Sequence, residues 1–296
     1  MNIPDFDGLV REIQRNNWQV FGLELWEDGK LTASFGDTRN TRYPIYSVTK
    51  SMVSLAAGMA IEDGALNTDD CVLRYLPGEY VRAMSEGQKQ AYAPVTLQRL
   101  MTMSVEGFPF RLSGDDWLEE ALRIPLNNPE TRTFAYSNVP AYLTGVAVSE
   151  AVGERLDKYL SRRLFAPLGI PDPPCQFSPE GYFYGASGME LTVNELSRVG
   201  LTLSREGRYG QKQIVSPAYV REATSVRQMN REGGYGYFFW KYRDGFSLNG
   251  KWGQKCYVLP TQRLMITFLS HMEEGSDKIR ECMERHLLDN GHDADI

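Results

Sequence analysis

The spacing of apolar residues changes period along this chain, and the changes outline its architecture. Apolar positions at helical intervals predict a short helix over residues 3–15, and alternation over 18–26 then predicts a strand. Asp28-Gly29 is a hairpin-turn dipeptide leading into a second alternating run over 31–35, so the chain opens with two antiparallel strands. From Ser47 the period becomes helical: Met52, Leu55, Ala56, Met59 and Ala60 share one face of an amphipathic helix, and Gly64 supplies a stop.

Helical signals dominate the middle of the chain. Thr96 can cap a helix running to Met103, Asn138 opens another that ends near Gly153, and Thr192 with Glu195 forms a capping box before a helix ending at Gly207. Asn127-Asn128-Pro129 and Pro171-Asp172-Pro173-Pro174 read as loops. Strand character returns over 235–242, breaks at Arg243-Asp244-Gly245 and resumes over 246–248, 256–259 and 264–269, before a last helix over 277–288. This order predicts an α/β (α+β) protein with one antiparallel sheet built from both ends of the chain. Residues 1–46 plus 225–296 would form the sheet region and 47–224 a mostly helical region, the two making one compact unit without internal repeats.

Composition narrows the classes of function. A chain of 296 residues can bury such a core as one domain. The net charge of −6 and a pI of about 5.3 offer no basic field for phosphate backbones or anionic lipid, so neither nucleic acid nor membrane is an expected partner. No run approaches the roughly 18 apolar residues of a spanning helix, and the first residues lack a basic segment followed by an apolar one; with Met1 as the native start, a cytoplasmic location is expected. Cys71, Cys175, Cys256 and Cys282 are far apart with no C-x-x-C, which signals neither a zinc site nor a disulfide framework and suggests small buried apolar residues.

His271, His286 and His292 all lie in the last tenth of the chain and show no H-E-x-x-H or H-x-H spacing, which argues against a metallohydrolase. A Ser-His-Asp triad would need His271, yet no G-x-S-x-G elbow presents a serine, and Gly185-Ala186-Ser187-Gly188 reads as a loop. No nucleotide-binding loop is present, so no cofactor is called for.

What remains is Ser47-Val48-Thr49-Lys50, the one S-x-x-K in the chain, at a strand-to-helix junction. Residues three apart on a helix share a face, so Lys50 can reach the Ser47 hydroxyl, and the helix start favours an oxyanion there. A buried lysine can titrate low enough to serve as a base. Taken alone, the tetrad is better matched by a helix cap followed by a surface lysine, since motifs of this length arise freely by chance. Tyr136-Ser137-Asn138 is the one Y-x-N and stands before a helix, where a phenol and an amide could face a cleft; a packed aromatic and an N-cap are the bland alternatives. The segment from Phe246 to Gln254, which holds Ser247, Asn249, Lys251 and Trp252, could offer a backbone N–H to an oxyanion or be a Gly-rich hairpin.

Read together, these segments resemble the serine β-lactamase-related, penicillin-binding-protein-like family, in the branch that includes class C β-lactamases, D-alanyl-D-alanine peptidases, family VIII esterases and 6-aminohexanoate-dimer hydrolase. The resemblance runs from about Trp18 to Leu269, through Ser47-Val48-Thr49-Lys50-Ser51, Val95-Thr96-Leu97, Phe134-Ala135-Tyr136-Ser137-Asn138, Phe165-Ala166-Pro167-Leu168-Gly169 and Gly185-Ala186-Ser187-Gly188-Met189. It implies a β-lactamase/transpeptidase-like fold with the site between sheet and helical regions. It also implies Ser47 as nucleophile, Lys50 as its proton partner, Tyr136 as the phenol or phenolate that shuttles protons, and Asn138 as a substrate-carbonyl contact. The oxyanion hole would join the Ser47 N–H to one from the strand near Ser247 to Asn249. Trp252, read from the sequence alone, fits a pocket wall and a packed tryptophan at a hairpin equally well.

The family's K-T-G or H-T-G motif is not clearly present. Lys251-Trp252-Gly253 imitates it, but counting back from Tyr257-Val258-Leu259-Pro260 puts the motif position at 245–247 and makes 250–254 the turn after it. That register removes the cation that binds a β-lactam or peptide carboxylate. The reading is therefore a serine esterase or amidase acting on a small acyl substrate, with β-lactamase or D-amino-acid peptidase activity, or a non-catalytic penicillin-binding-like sensor, as alternatives. The sequence carries no signal of oligomeric state.

Overall fold

The computed structural model describes residues 4–126 and 128–288. Asn127 and His292 lie outside the described residues. The strands are β1 (Val20–Glu27), β2 (Lys30–Gly36), β3 (Tyr43–Pro44), β4 (Glu190–Leu191), β5 (Arg208–Tyr209), β6 (Lys212–Gln213), β7 (Trp240–Tyr242), β8 (Gly245–Gly250), β9 (Gln254–Leu259) and β10 (Leu264–Ser270). Six of them form one antiparallel sheet in the order β2-β1-β10-β9-β8-β7, while β3 pairs with β4 and β5 with β6. The helices are α1 (Phe6–Arg15), α2 (Thr49–Glu62), α3 (Gly78–Ala83), α4 (Glu86–Tyr92), α5 (Leu97–Met101), α6 (Trp117–Arg123), α7 (Val139–Val152), α8 (Leu156–Leu160), α9 (Val193–Ser204), α10 (Pro217–Thr224) and α11 (Ser276–Met283). None of the described helices is long and apolar enough to cross a membrane.

The sheet separates two cores. On one face Leu23, Leu25, Tyr257 and Ile266 pack against Leu9 and Ile13 of α1 and Ile279 and Met283 of α11. On the other, Leu248, Cys256, Val258 and Met265 join the larger core shared with α2, α7 and α9. Gly200 lets α9 approach closely, since a Cβ there would sit 2.5 Å from Cys256 Sγ and 2.6 Å from Met265 Sδ. The buried carboxylate of Glu24 on this face accepts hydrogen bonds from Asn194 Nδ2 (3.0 Å) and Trp26 Nε1 (2.9 Å), as a polar group without water must.

Local signals hold at many element ends. Asp5 caps α1, Thr96 caps α5, Thr192 and Glu195 form their reciprocal capping box, and Gly153 closes α7 in the left-handed conformation. Two expectations are overturned. The helix after Ser47 is not amphipathic: every residue from Thr49 to Ala60 is buried, as befits a helix enclosed on all sides. Ser51 Oγ donates to Phe238 O (2.9 Å) and Ser54 Oγ lies 3.1 Å from Tyr219 OH, while the buried Thr49 Oγ1 has no partner among the described residues. The strand expected over 235–242 is confined to β7, because Phe238 takes a positive φ of 63° and its N–H bonds to Met101 O in the helical region. All four cysteines are free thiols; Cys256 and Cys282 are buried, and Cys71 and Cys175 half-buried.

Candidate active site

Ser47 lies in a single 3-10 turn, Tyr46–Val48, that feeds directly into α2. Tyr46 holds a positive φ of 46°, an unfavourable conformation for a bulky residue, so the chain turns sharply just before the serine. One turn on, Lys50 is 1 % exposed, and its Nζ lies 2.9 Å from Ser47 Oγ, 2.7 Å from Asn138 Oδ1 and 2.8 Å from Ala186 O. Burial pushes the Lys50 amine down to about 7. Asn138 Oδ1 and Ala186 O can only accept, so each takes an N–H from Lys50, which as an ammonium also donates to Ser47 Oγ and, once neutral, can turn its lone pair to the serine hydroxyl.

Asn138 caps α7 by position, yet its side chain makes no capping bond. Its amide instead bridges Lys50 and Tyr184, donating from Nδ2 to Tyr184 OH at 2.9 Å. Tyr184 in turn packs edge-on against Trp117, centroids 4.9 Å apart. Tyr136 is half-buried in an aromatic group with Phe134 (6.4 Å), Tyr235 (6.4 Å) and Trp240 (5.6 Å), and Lys50 Nζ stands 5.1 Å from its ring centre. Burial raises the phenol to about 12, with a hydrogen bond to Ser47 offsetting part of the rise, so Tyr136 is protonated at neutral pH.

The segment 245–254 falls in the register with the strand first and the turn second: β8 covers 245–250, and Lys251, Trp252 and Gly253 form the turn. No cation stands at 245–247. The end of β8 reaches the serine turn because residue 250 is glycine; a Cβ there would lie 2.4 Å from Ile45 O. β7 ends opposite Ser247, so residues 248–250 have no strand neighbour on that edge. The side chain of Ser247 lies on the face of its cross-strand partner Tyr257, turned to the terminal helices, and Asn249 follows it by the two-residue period. Only the backbone of these two residues can face Ser47. Trp252 packs edge-on against Tyr46 (5.2 Å) and beside His271 (4.4 Å), with Lys251 Nζ 4.0 Å from its ring centre.

The sequence reading missed Tyr46, Tyr184 and Ala186. Ala186 lies within a segment that carried the family resemblance, but it contributes a carbonyl, which no side-chain pattern announces. Among the described residues one group, Glu12, Cys282 and His286, brings metal-ligand atoms within 4.8 Å of one another. It sits where α1 meets the last helix, and its carboxylate is engaged by Arg285 (2.6 Å) and His286 (3.0 Å).

No curated protein sequence matches the chain. Among solved structures, a proposed β-lactamase from Bacteroides dorei DSM 17855 aligns with a TM-score of 0.77 at 17% identity, covering 96% of this chain and 99% of that one. A proposed 6-aminohexanoate-dimer hydrolase from Bacillus anthracis aligns at 0.72 and 16% identity, over 97% and 84% of the two chains. A penicillin-binding protein from Bacillus halodurans aligns at 0.69 and 16% identity, over 93% and 99%. These likenesses establish the β-lactamase/transpeptidase-like fold. The Beta-lactamase family profile matches residues 21–287, nearly the whole span that holds the sheet, Ser47, Lys50 and Tyr136, and the chain belongs to that family.

Proposed function

We propose that the protein is a serine hydrolase that forms an acyl-enzyme on Ser47 from a small ester or amide. The observation that carries this reading is the set of three contacts that the buried Lys50 Nζ makes, to Ser47 Oγ, Asn138 Oδ1 and Ala186 O; once neutral, the amine can satisfy the last two and turn its lone pair to the serine hydroxyl.

In acylation the Ser47 proton passes to Lys50 Nζ as Oγ attacks the carbonyl carbon, and the new oxyanion is received by the Ser47 N–H and a backbone N–H from the open edge of β8. As the C–O or C–N bond breaks, the Tyr136 phenol gives its proton to the departing atom, and the phenolate left behind recovers a proton from the Lys50 ammonium, whose Nζ stands 5.1 Å from the ring centre. Deacylation runs the same route with water: its proton goes to Lys50, its oxygen attacks the acyl carbon, and Ser47 Oγ leaves with the lysine's proton. A phenol at about 12 suits this role as acid, where a phenolate would not.

A small ester or amide is favoured over a β-lactam or peptide because 245–247 lacks the third-motif cation and Lys251 rests on Trp252 in the turn. Intact-mass analysis with a fluorophosphonate tests the reading. One adduct, lost in Ser47→Ala, is expected; absence of an adduct, or one that survives the substitution, would reject it.

A further inference from the structure

α1 and the last helix lie side by side against the face of the sheet opposite α2. Past α11 the last helix continues through one π-helical turn, Glu284–Leu288, and the N–H of Asp5 at the start of α1 donates to His286 O at 2.9 Å. Cys282 and His286, four residues apart, share the helix face turned to α1 and meet Glu12 there. Neither C-x-x-C nor H-x-H spacing marks them, because the two ligands differ in type and the third comes from the other end of the chain.

The orientation of these groups suits a metal ion. His286 Nε2 faces Glu12 Oε2 at 3.0 Å, while Nδ1 faces Asp5 Oδ2 at 3.3 Å. A carboxylate on the far nitrogen keeps the proton on Nδ1 and leaves Nε2 to ligate, as it does for metal-bound histidines. Gly8 makes room for this contact, since a Cβ there would lie 2.7 Å from His286 Nδ1 and closer still to Asp5 Oδ2. The Glu12 carboxylate is divided in the same way, with Arg285 on Oε1 at 2.6 Å and Oε2 turned to the imidazole. Cys282, a buried free thiol, closes the inner side. On the outer side a cavity of about 350 Å³, lined by Asp5, Gly8, Arg11, Glu12, Arg15 and His286, supplies an entry path and room for a water ligand. Arg285 and Arg11 are paired with Glu12 and Asp5, and Arg15 is exposed, so the positive charges nearby are matched or screened by solvent.

We propose that Glu12 Oε2, Cys282 Sγ and His286 Nε2 bind a zinc-class divalent cation, with Asp5 orienting the imidazole, and that the ion ties α1 to the last helix. The ligand atoms lie within 4.8 Å of one another; tetrahedral zinc, with bonds of about 2.0–2.3 Å, holds its ligands roughly 3.3–3.7 Å apart, so side-chain shifts of about 1 Å close the site. Thiolate, imidazole and carboxylate together suit zinc, whereas Mg²⁺ and Ca²⁺ require more oxygen ligands. The site is independent of the hydrolase reading.

The test uses the full chain, stripped of metal with a chelator and titrated with Co²⁺ as a spectroscopic stand-in for Zn²⁺. One equivalent should give a thiolate-to-metal charge-transfer band that Zn²⁺ displaces and Mg²⁺ or Ca²⁺ does not. Cys282→Ala should abolish the band, and Glu12→Gln and His286→Gln should each weaken Zn²⁺ binding at least about tenfold, with thermal unfolding confirming that every variant folds. Asp5→Asn, which keeps a good N-cap for α1, should retain the band while weakening the affinity by about 10–100-fold. No band at stoichiometric Co²⁺, a band that survives Cys282→Ala, or Zn²⁺ affinity unmoved by Glu12→Gln and His286→Gln would overturn the site. Should a variant fail to fold, X-ray absorption on the zinc-loaded wild type decides it: one sulfur and one imidazole in the shell support the site, and a shell of oxygen alone rejects it.

Discussion

Lys50 Nζ and Asn138 Oδ1 stand 2.7 Å apart, joining the helix that follows the serine to the helix that follows the tyrosine. This amide oxygen is the one side-chain partner of the lysine besides Ser47 among the described residues, and it is neutral. Replacing it by a carboxylate would set a negative charge against the amine and favour the ammonium by about 1–3 pKa units. Wild-type kcat/KM should rise with pH through a midpoint near the about 7 of Lys50. Asn138→Asp should move that midpoint upward by at least a unit and lower activity at neutral pH. A profile unmoved by the substitution would remove Lys50 from the role of base.

The same lysine makes stability depend on pH. Its folded value of about 7 lies below the roughly 10.4 of an unfolded lysine, so between the two the unfolded chain holds a proton that the folded chain does not. Stability therefore rises with pH across that window, by at most about 1.4 kcal/mol per pH unit, and the burial cost is present in full below it. In urea titrations from about pH 7 to 10, wild type should gain stability relative to Lys50→Met. A difference that stays constant with pH would mean that Lys50 is not depressed in the folded state.

Tyr136→Phe separates proton delivery from nucleophile activation. Losing a general acid costs typically 10²–10⁴-fold, but only where the leaving atom needs a proton. A p-nitrophenyl ester, whose phenolate leaves unaided, should lose much less activity than an unactivated amide or alkyl ester of the same acyl group. Equal losses on both would place Tyr136 in positioning rather than in acid catalysis.

How far the chain could be read in advance follows from where each signal lies. Ser47 and Lys50 share one helical turn, and Tyr136 and Asn138 share a three-residue motif, so their grouping was legible from spacing and from the family resemblance. What Lys50 bonds to was not: Ala186 offers only a carbonyl, and Tyr184 joins the site through a loop whose path is set by tertiary packing. The all-round burial of α2 was hidden because Ser51, Ser54 and Gly58 look like a polar face; in the fold they bond to Phe238 O, lie against Tyr219 OH and give room to the Tyr219 ring. Strand propensity misled at 235–239, where aromatic residues favour β structure yet Phe238 turns through a positive φ. The facing of Ser247 and Asn249 depends on strand parity, which is settled by the pairing of Ser247 with Tyr257 and of Tyr257 with Ile266.

Gly250 is where the sheet and the serine turn meet, and it gives the sharpest test of how the site is positioned. The end of β8 approaches the turn so closely that a Cβ would fall 2.4 Å from Ile45 O, a backbone atom with no rotamer to move. Gly250→Ala must therefore push the strand away from the turn or distort the turn itself, at a cost of about 1–3 kcal/mol for overpacking of this kind. Either response displaces the β8 edge relative to Ser47. We expect a lowered Tm together with at least a tenfold slower labelling of Ser47 by fluorophosphonate. Gly87→Ala in α4 is the matched control, since its Cβ would meet nothing closer than Ser85 Oγ at 4.0 Å and alanine favours a helix. Labelling and Tm at wild-type values in Gly250→Ala would show that the strand edge is not held against the serine turn.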